Sequence, residues 1–353
     1  MERYTDFREK QVFFVGIDVH KRTYHVTGVW ENGREEFIKS MPADKEILVK
    51  YLAQWRMYRI MAVYEAGYFG YALHDYLIEH GIECMVTPPS LVPGEYGNRV
   101  KTDRRDSRKL ALYCAKGFLK SVYVPTVEER SHRQVIRTRR QLVNDRIRKQ
   151  NQIKSFLTQY GIPFPDILGK WSKQYIEKLN CIRLNDRWLK KSFEKLIRAY
   201  EFVDGQIEEQ TKLLKELAKE ERYRERVAIL RSIPGIGIIS AMEMLLELQD
   251  IERFSKADQL AAYVGLTPSQ FSSGDRVRMG RITRVGKQQL RALLIEAAWI
   301  FVRKDATANE TYTRIRARAG SKRAIVAIAR RLLLIGWRLL INNKMYAESL
   351  ENR

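Results

Sequence analysis

Cysteine is scarce in this chain. Only Cys84, Cys114 and Cys181 occur among 353 residues, an odd number without paired metal-ligand spacing, which excludes a disulfide framework or a cysteine-built zinc site. Long apolar runs are missing too. The best candidate for a membrane span, Ala324 to Ile341, is interrupted by Arg330, Arg331 and Arg338, so no membrane partner is expected. The first ten residues are rich in charge and show no apolar core with a cleavage site, which points to a cytoplasmic protein without a secretory signal. Acid is also in short supply, with 42 Asp and Glu against 64 Lys and Arg for a formal net charge of +22. Such an excess repels itself unless it meets a polyanion, and nucleic acid is the leading partner class.

The chain is long enough for two or three domains. Extended runs at Gln11–Val19, Thr23–Trp30 and Arg34–Lys39, the last two joined by Asn32-Gly33, predict a hairpin-led set of three strands. Alternation follows, with helix over 45–54, strand over 59–65, helix over 70–80 closed by Gly81, and strand over 82–87. This order predicts an α/β domain with a mixed sheet, as in ribonuclease H, over residues 1–126. Residues 127–222 read as a basic helix over 127–158 followed by a second long helix. On the latter, Leu189, Phe193, Leu196, Tyr200, Val203, Ile207, Gln210, Leu214 and Leu217 recur at heptad spacing, predicting a central coiled coil within the chain or between protomers. The excess of arginine on the first helix, Arg137 and Arg140 among them, suits a phosphate backbone. The remainder, 223–353, is predicted to be helical. It opens on Ile233-Pro-Gly-Ile-Gly237, which reads as a helix-hairpin-helix whose Gly235 and Gly237 admit a phosphate to backbone N–H groups.

Four carboxylates stand out against this basic background. Asp18 ends the first predicted strand, Glu65 ends another, and Asp103 and Asp106 share one face at a helix start, where Thr102 or Asp103 serves as N-cap. Each has an ordinary explanation as a turn or cap residue. Together, from separated elements, they suit a hard cation, Mg²⁺ or Mn²⁺, and two such ions can activate an attacking oxygen and stabilise a leaving one at phosphorus. Further on, Phe271-Ser-Ser-Gly274 precedes a cationic stretch with Arg276, Arg278, Arg281 and Arg284.

Gly16-Ile-Asp-Val-His-Lys21, Tyr64-Glu-Ala-Gly67, Lys101-Thr-Asp-Arg-Arg-Asp106, Ile233-Pro-Gly-Ile-Gly237, and Ser272-Ser-Gly274 followed by Gly280-Arg-Ile-Thr283 appear in that order. The set resembles the successive signatures of the DEDD transposases of bacterial insertion sequences, typified by the IS110 group and related to Piv-type DNA invertases. The resemblance runs from about Phe14 to about Arg331. One departure is Glu65-Ala-Gly-Tyr68, where many relatives carry an extra small residue before the glycine.

The resemblance implies a RuvC-like domain whose metal-binding tetrad is Asp18, Glu65, Asp103 and Asp106, and a nucleophilic Ser273 in the C-terminal transposase domain. It also implies double-stranded donor and target DNA, a structured non-coding guide RNA (a bridge RNA), and action as a homodimer or homotetramer. The nucleic-acid contacts are expected at Arg137, Arg140, Gly235, Gly237, Arg276, Arg278, Arg281 and Arg284. Two other readings compete. A RuvC-like junction nuclease, or a DNA invertase without guide RNA, keeps the tetrad; an architectural DNA-binding protein explains the charge but not the four carboxylates.

Overall fold

The computed structural model describes residues 11–93, 103–166, 171–273, 276–283 and 285–348, with the side chains of 271–279 not among those described. The chain forms two compact units, Met1–Val124 and Pro125–Arg353.

The first unit is a five-stranded mixed sheet. Strands β1 (Val12–Val19), β2 (Thr23–Trp30), β3 (Glu35–Pro42), β4 (Arg59–Glu65) and β5 (Glu83–Thr87) lie in the order β3-β2-β1-β4-β5. The hairpin strands pair antiparallel, whereas β1–β4 and β4–β5 are parallel and are reached through α1 (Lys45–Leu52) and α2 (Ala72–Glu79). Gly33 makes the β2–β3 turn at φ +85°, a left-handed conformation that favours glycine. Alternation of side chains along each strand assigns the two faces. Phe13, Val15 and Ile17 join Leu48, Leu52 and Leu77 in one core, while Phe14, Met61 and Val63 pack with Leu110 and Cys114 of α3 (Asp103–Ala115) in another. Thr102, expected as a possible cap of α3, lies outside the described residues.

The second unit is helical apart from one two-stranded ribbon. Helix α4 (Val127–Gln159) starts in a reciprocal cap, Glu129 N–H donating to Thr126 Oγ1 at 3.1 Å and Thr126 N–H to Glu129 Oε2 at 2.9 Å. After α5 (Lys173–Asn180), helix α6 (Arg187–Leu217) runs antiparallel to α4. Gln210 meets Val135, Arg146 meets Asp204, and Ile153 and Phe156 share a core with Phe193, Ile197 and Tyr200. Every position of the heptad series is buried or half-buried.

Helices α7 (Glu221–Arg231) and α8 (Ile238–Leu248) follow, then α9 (Ala257–Val264), the ribbon β6 (Pro268–Ser273) and β7 (Arg276–Ile282), and α10 (Gln288–Lys304), α11 (Ala306–Ala319) and α12 (Ser321–Asn342). Helix α8 lies within a large apolar core that α7, α10 and α12 also line, and it is buried from Ala241 to Leu248. The ribbon departs from the helical reading of residues 223–353, because its short polar and cationic strands carry no helical apolar stripe. Among the described residues no helix is long and apolar enough to cross a membrane.

Candidate functional site

Helix α3 is pressed onto the sheet at Gly16. A Cβ there would stand 2.0 Å from the Ser107 carbonyl oxygen and 2.5 Å from the Ala111 nitrogen, so only glycine lets the helix backbone approach this closely. Thr27, register partner of Gly16, meets Ser107 Oγ at 2.9 Å in a buried hydrogen bond that fixes the helix on β2. The face carrying Gly16 also carries Asp18, two residues on. The α3 N-terminus, with Asp103 and Asp106 in its first turn, is thereby delivered to the end of β1.

Asp18 and Asp103 are linked through one imidazole, His20 Nε2 lying 3.0 Å from Asp18 Oδ2 and 3.7 Å from Asp103 Oδ1. Burial holds the Asp18 carboxyl above its ordinary range; His20 opposes this, while the charges of Asp106 and Asp103 add to it. Glu65 follows Tyr64, the register partner of Ile17, and so stands at the end of the strand parallel to β1. Asp18 feels the charges of Asp103 and Asp106, and Glu65 ends the neighbouring strand, but among the described residues the cluster whose ligand atoms all lie within 4.8 Å of one another is His20, His25 and Asp103 rather than the four carboxylates. A divalent cation would offset the charge that burial and repulsion disfavour at Asp18.

Sequence reasoning missed two residues of this site. His25 is the cross-strand partner of Asp18 and approaches Asp103 Oδ2 at 3.4 Å through Nε2, and His20 lies beyond Asp18 on the same face. Period-two counting from Asp18, combined with the hairpin register, was the signal that could have found them.

In the helical unit, β6 ends at Ser273, paired in register with Arg276. The side chains of Ser273, Arg276 and Arg278 are outside the described part, as is Arg284 altogether. The two roots of the ribbon are locked together. Gly265 (φ +80°) and Gly286 (φ +99°) meet backbone to backbone, where an added Cβ would fall 2.1 Å from Val285 O or 2.6 Å from Tyr263 O. The buried Arg291 Nη1 donates to the carbonyls of Val264, Val285 and Gly265 at 3.1, 3.3 and 3.4 Å. Beside the ribbon, Arg281 lines a groove with Gly320, Lys322, Arg323 and Arg330 around the start of α12.

The remaining expected contacts are placed as follows. Gly235 (φ +94°) packs against α10, where a Cβ would come 2.7 Å from Ala297 O, whereas nothing stands within 4 Å of a Cβ on Gly237, the N-cap of α8. Arg137 meets Glu247 through two hydrogen bonds of 3.2 and 3.3 Å, and Arg140 pairs with Glu243. Much of the charge of these two arginines is therefore matched inside the unit.

A family model for DEDD transposases of the IS110 type matches residues 15–162, and one described as Transposase IS116/IS110/IS902 family matches residues 227–313. The chain is 29% identical to a putative transposase, y4qE, of Sinorhizobium fredii, over 95% of this chain and 83% of the relative. It is 26% identical to the transposase for insertion sequence element IS1533 of Leptospira borgpetersenii, over 92% and 94%. A pilin gene-inverting protein of Moraxella bovis is 23% identical over 94% and 97%.

Proposed function

Because the chain belongs to the IS110-type DEDD transposases of insertion sequences, enzymes that cleave and join DNA, we propose that it recombines DNA through a serine nucleophile assisted by Asp18, Glu65, Asp103 and Asp106. The observation that supports this reading is that Asp18 shares His20 with Asp103 and feels the charges of Asp106 and Asp103, beside the strand that ends on Glu65. In this reading residues 1–126 are the RuvC-like domain, 127–222 a basic helix and coiled coil, and 223–353 the transposase domain with its helix-hairpin-helix.

The four carboxylates would hold Mg²⁺, with Mn²⁺ as a substitute, which supplies charge neutralisation at the phosphate oxygens. The Ser273 hydroxyl oxygen forms a bond to the scissile phosphorus as the bond from phosphorus to the leaving sugar oxygen breaks. The serine proton passes through solvent to that oxygen, and the phosphoserine link retains the bond energy for rejoining. Arg276, Arg278, Arg281 and Arg284 steady the neighbouring backbone, and Lys322 and Arg323 extend that surface along the groove. Gly237, open at the N-cap of α8, leaves room for a phosphate there.

Donor and target are double-stranded DNA, and a structured bridge RNA selects them, a role that rests on the family resemblance and with which the net charge of +22 is compatible. Assembly as a homodimer or homotetramer is favoured by Trp188, Phe202 and Leu213, which remain exposed on α6.

The test is a denaturing gel of labelled target DNA followed by mass spectrometry of the linked peptide. Ser273→Ala is expected to bind nucleic acid yet form no covalent adduct, whereas Ser272→Ala keeps at least part of the activity. An adduct mapped to another residue would replace this reading with the hydrolytic junction nuclease. For the guide, protein expressed with its element's flanking sequence is expected to co-purify a discrete RNA. Efficient recombination after complete RNase treatment from the outset would remove the RNA from the scheme.

A further inference from the structure

The carboxylate site has an imidazole flank that the tetrad does not use. One ligand atom each from His20, His25 and Asp103 lies within 4.8 Å of the others. The two rings stand edge to face, with centroids 5.8 Å apart. Both present Nε2 to Asp103, at 3.7 Å from Oδ1 and 3.4 Å from Oδ2. These separations are long for charge-assisted hydrogen bonds, which run at about 2.7–2.9 Å. They are close to the spacing of two ligands on one ion, roughly 3.4 Å for a tetrahedral ion with bonds of about 2.1 Å. The second ring nitrogen of His25 is also engaged, Nδ1 lying 2.7 Å from Ser40 Oγ. With Nδ1 donating to that hydroxyl, Nε2 turns its lone pair toward Asp103, the outer-shell arrangement that orients metal-binding histidines.

We infer that His20, His25 and Asp103 form a second cation position at the edge of the tetrad, one that takes a divalent first-row transition ion. This rests on the metal-site reading above. Two imidazoles and a carboxylate suit a borderline ion better than Mg²⁺, which prefers oxygen and gives up its water reluctantly. Asp103 would belong to both donor sets. When His20 Nε2 binds the ion, it gives up its 3.0 Å hydrogen bond with Asp18 Oδ2. Ser40 is a positioning residue for this ion through His25.

The experiment titrates the untagged full chain with Co²⁺ alone and records the visible absorption together with the paramagnetically shifted, exchangeable imidazole N–H resonances. Two such resonances are expected in the unsubstituted protein. His25→Ala removes one of them and His20→Ala the other, and Ser40→Ala weakens Co²⁺ binding by about tenfold while both resonances persist. Glu65→Gln, on the far side of the tetrad, retains both. Co²⁺ bound with no shifted imidazole resonance would overturn the histidine position and leave the four-carboxylate site intact. A chain that binds neither Co²⁺ nor Mg²⁺ by calorimetry would overturn both.

Discussion

Glu247 of the helical unit and Asp18 of the sheet unit are held in opposite directions, while Glu243, where burial outweighs Arg140, is raised as Asp18 is. In the helical unit Glu243 and Glu247 lie inside α8, and each is met by cations from elsewhere in the same unit, Arg140 for the first and Arg137, Arg140 and Lys287 for the second. Burial pushes Glu247 up, but its hydrogen bond to Arg137 and the charges of Lys287, Arg137 and Arg140 outweigh burial and hold it below the usual carboxylate range. At the sheet edge the reverse holds. Burial and the neighbouring aspartates outweigh His20, so Asp18 is held above its range. At Glu247 the surrounding cations outweigh burial, whereas at Asp18 the opposing imidazole does not.

The contrast is broken most severely at Asp18. Asp18→Asn is expected to lower strand cleavage by about 10²–10³-fold, with the thermal midpoint unchanged or slightly raised, since the substitution removes a carboxylate that burial penalises. Cleavage and melting assays on one preparation check both halves. A large drop in melting with cleavage retained would reverse the assignment of this acid to function.

Glu247→Ala attacks the other side. It leaves Arg137, Arg140 and Lys287 around a buried gap and is expected to cost about 3–5 kcal/mol of stability in the helical unit, read by denaturant unfolding. Because the folded value of Glu247 is lowered, its stabilisation is present above the unfolded carboxyl range and is lost as pH falls through the folded value. Acid titration of the unsubstituted protein should therefore show a destabilising phase below about pH 4 that Glu247→Gln removes.

Gly16→Ala tests geometry without touching charge. With a Cβ driven into the Ser107 carbonyl, α3 must shift off the sheet, and metal binding is expected to weaken although all four carboxylates remain. The cost in stability is expected to be about 1–3 kcal/mol, and calorimetric titration with Mg²⁺ measures the binding. Unchanged affinity would separate the site from the α3 contact.

The smallest effect is expected on the α4–α6 pair. Val203→Asp places a charge on a half-buried seam and should cost about 1–2 kcal/mol, seen as a lower melting midpoint or a weaker oligomer by light scattering. Both quantities unchanged would count against the seam.

Strand and helix boundaries in the first unit were legible because alternation, Asn32-Gly33 and Gly81 are local signals, and β2 and β4 occupy the very spans expected from them. The four acids proposed as the tetrad stand out for a related reason, since a charge at the end of an apolar strand or the start of a helix differs from its neighbours. The ribbon around Ser273 was not legible. Its residues are polar and cationic, without a clear apolar stripe, and what shapes it is a knot of Gly265, Gly286 and Arg291 formed across the fold.

The same distinction separates the arginines from the histidines. Composition by itself determined that cations exceed acids and that α4 carries a basic excess. Tertiary structure decided which of those cations are already matched, because Arg137 finds Glu247 across 110 positions of chain and Arg140 finds Glu243 across 103. It also decided that His25 joins Asp103, since a register partner on one strand and a helix some eighty residues later meet only after Gly16 lets α3 settle on the sheet. Local periodicity records which way a side chain faces; what stands opposite it is set by the packing of distant segments.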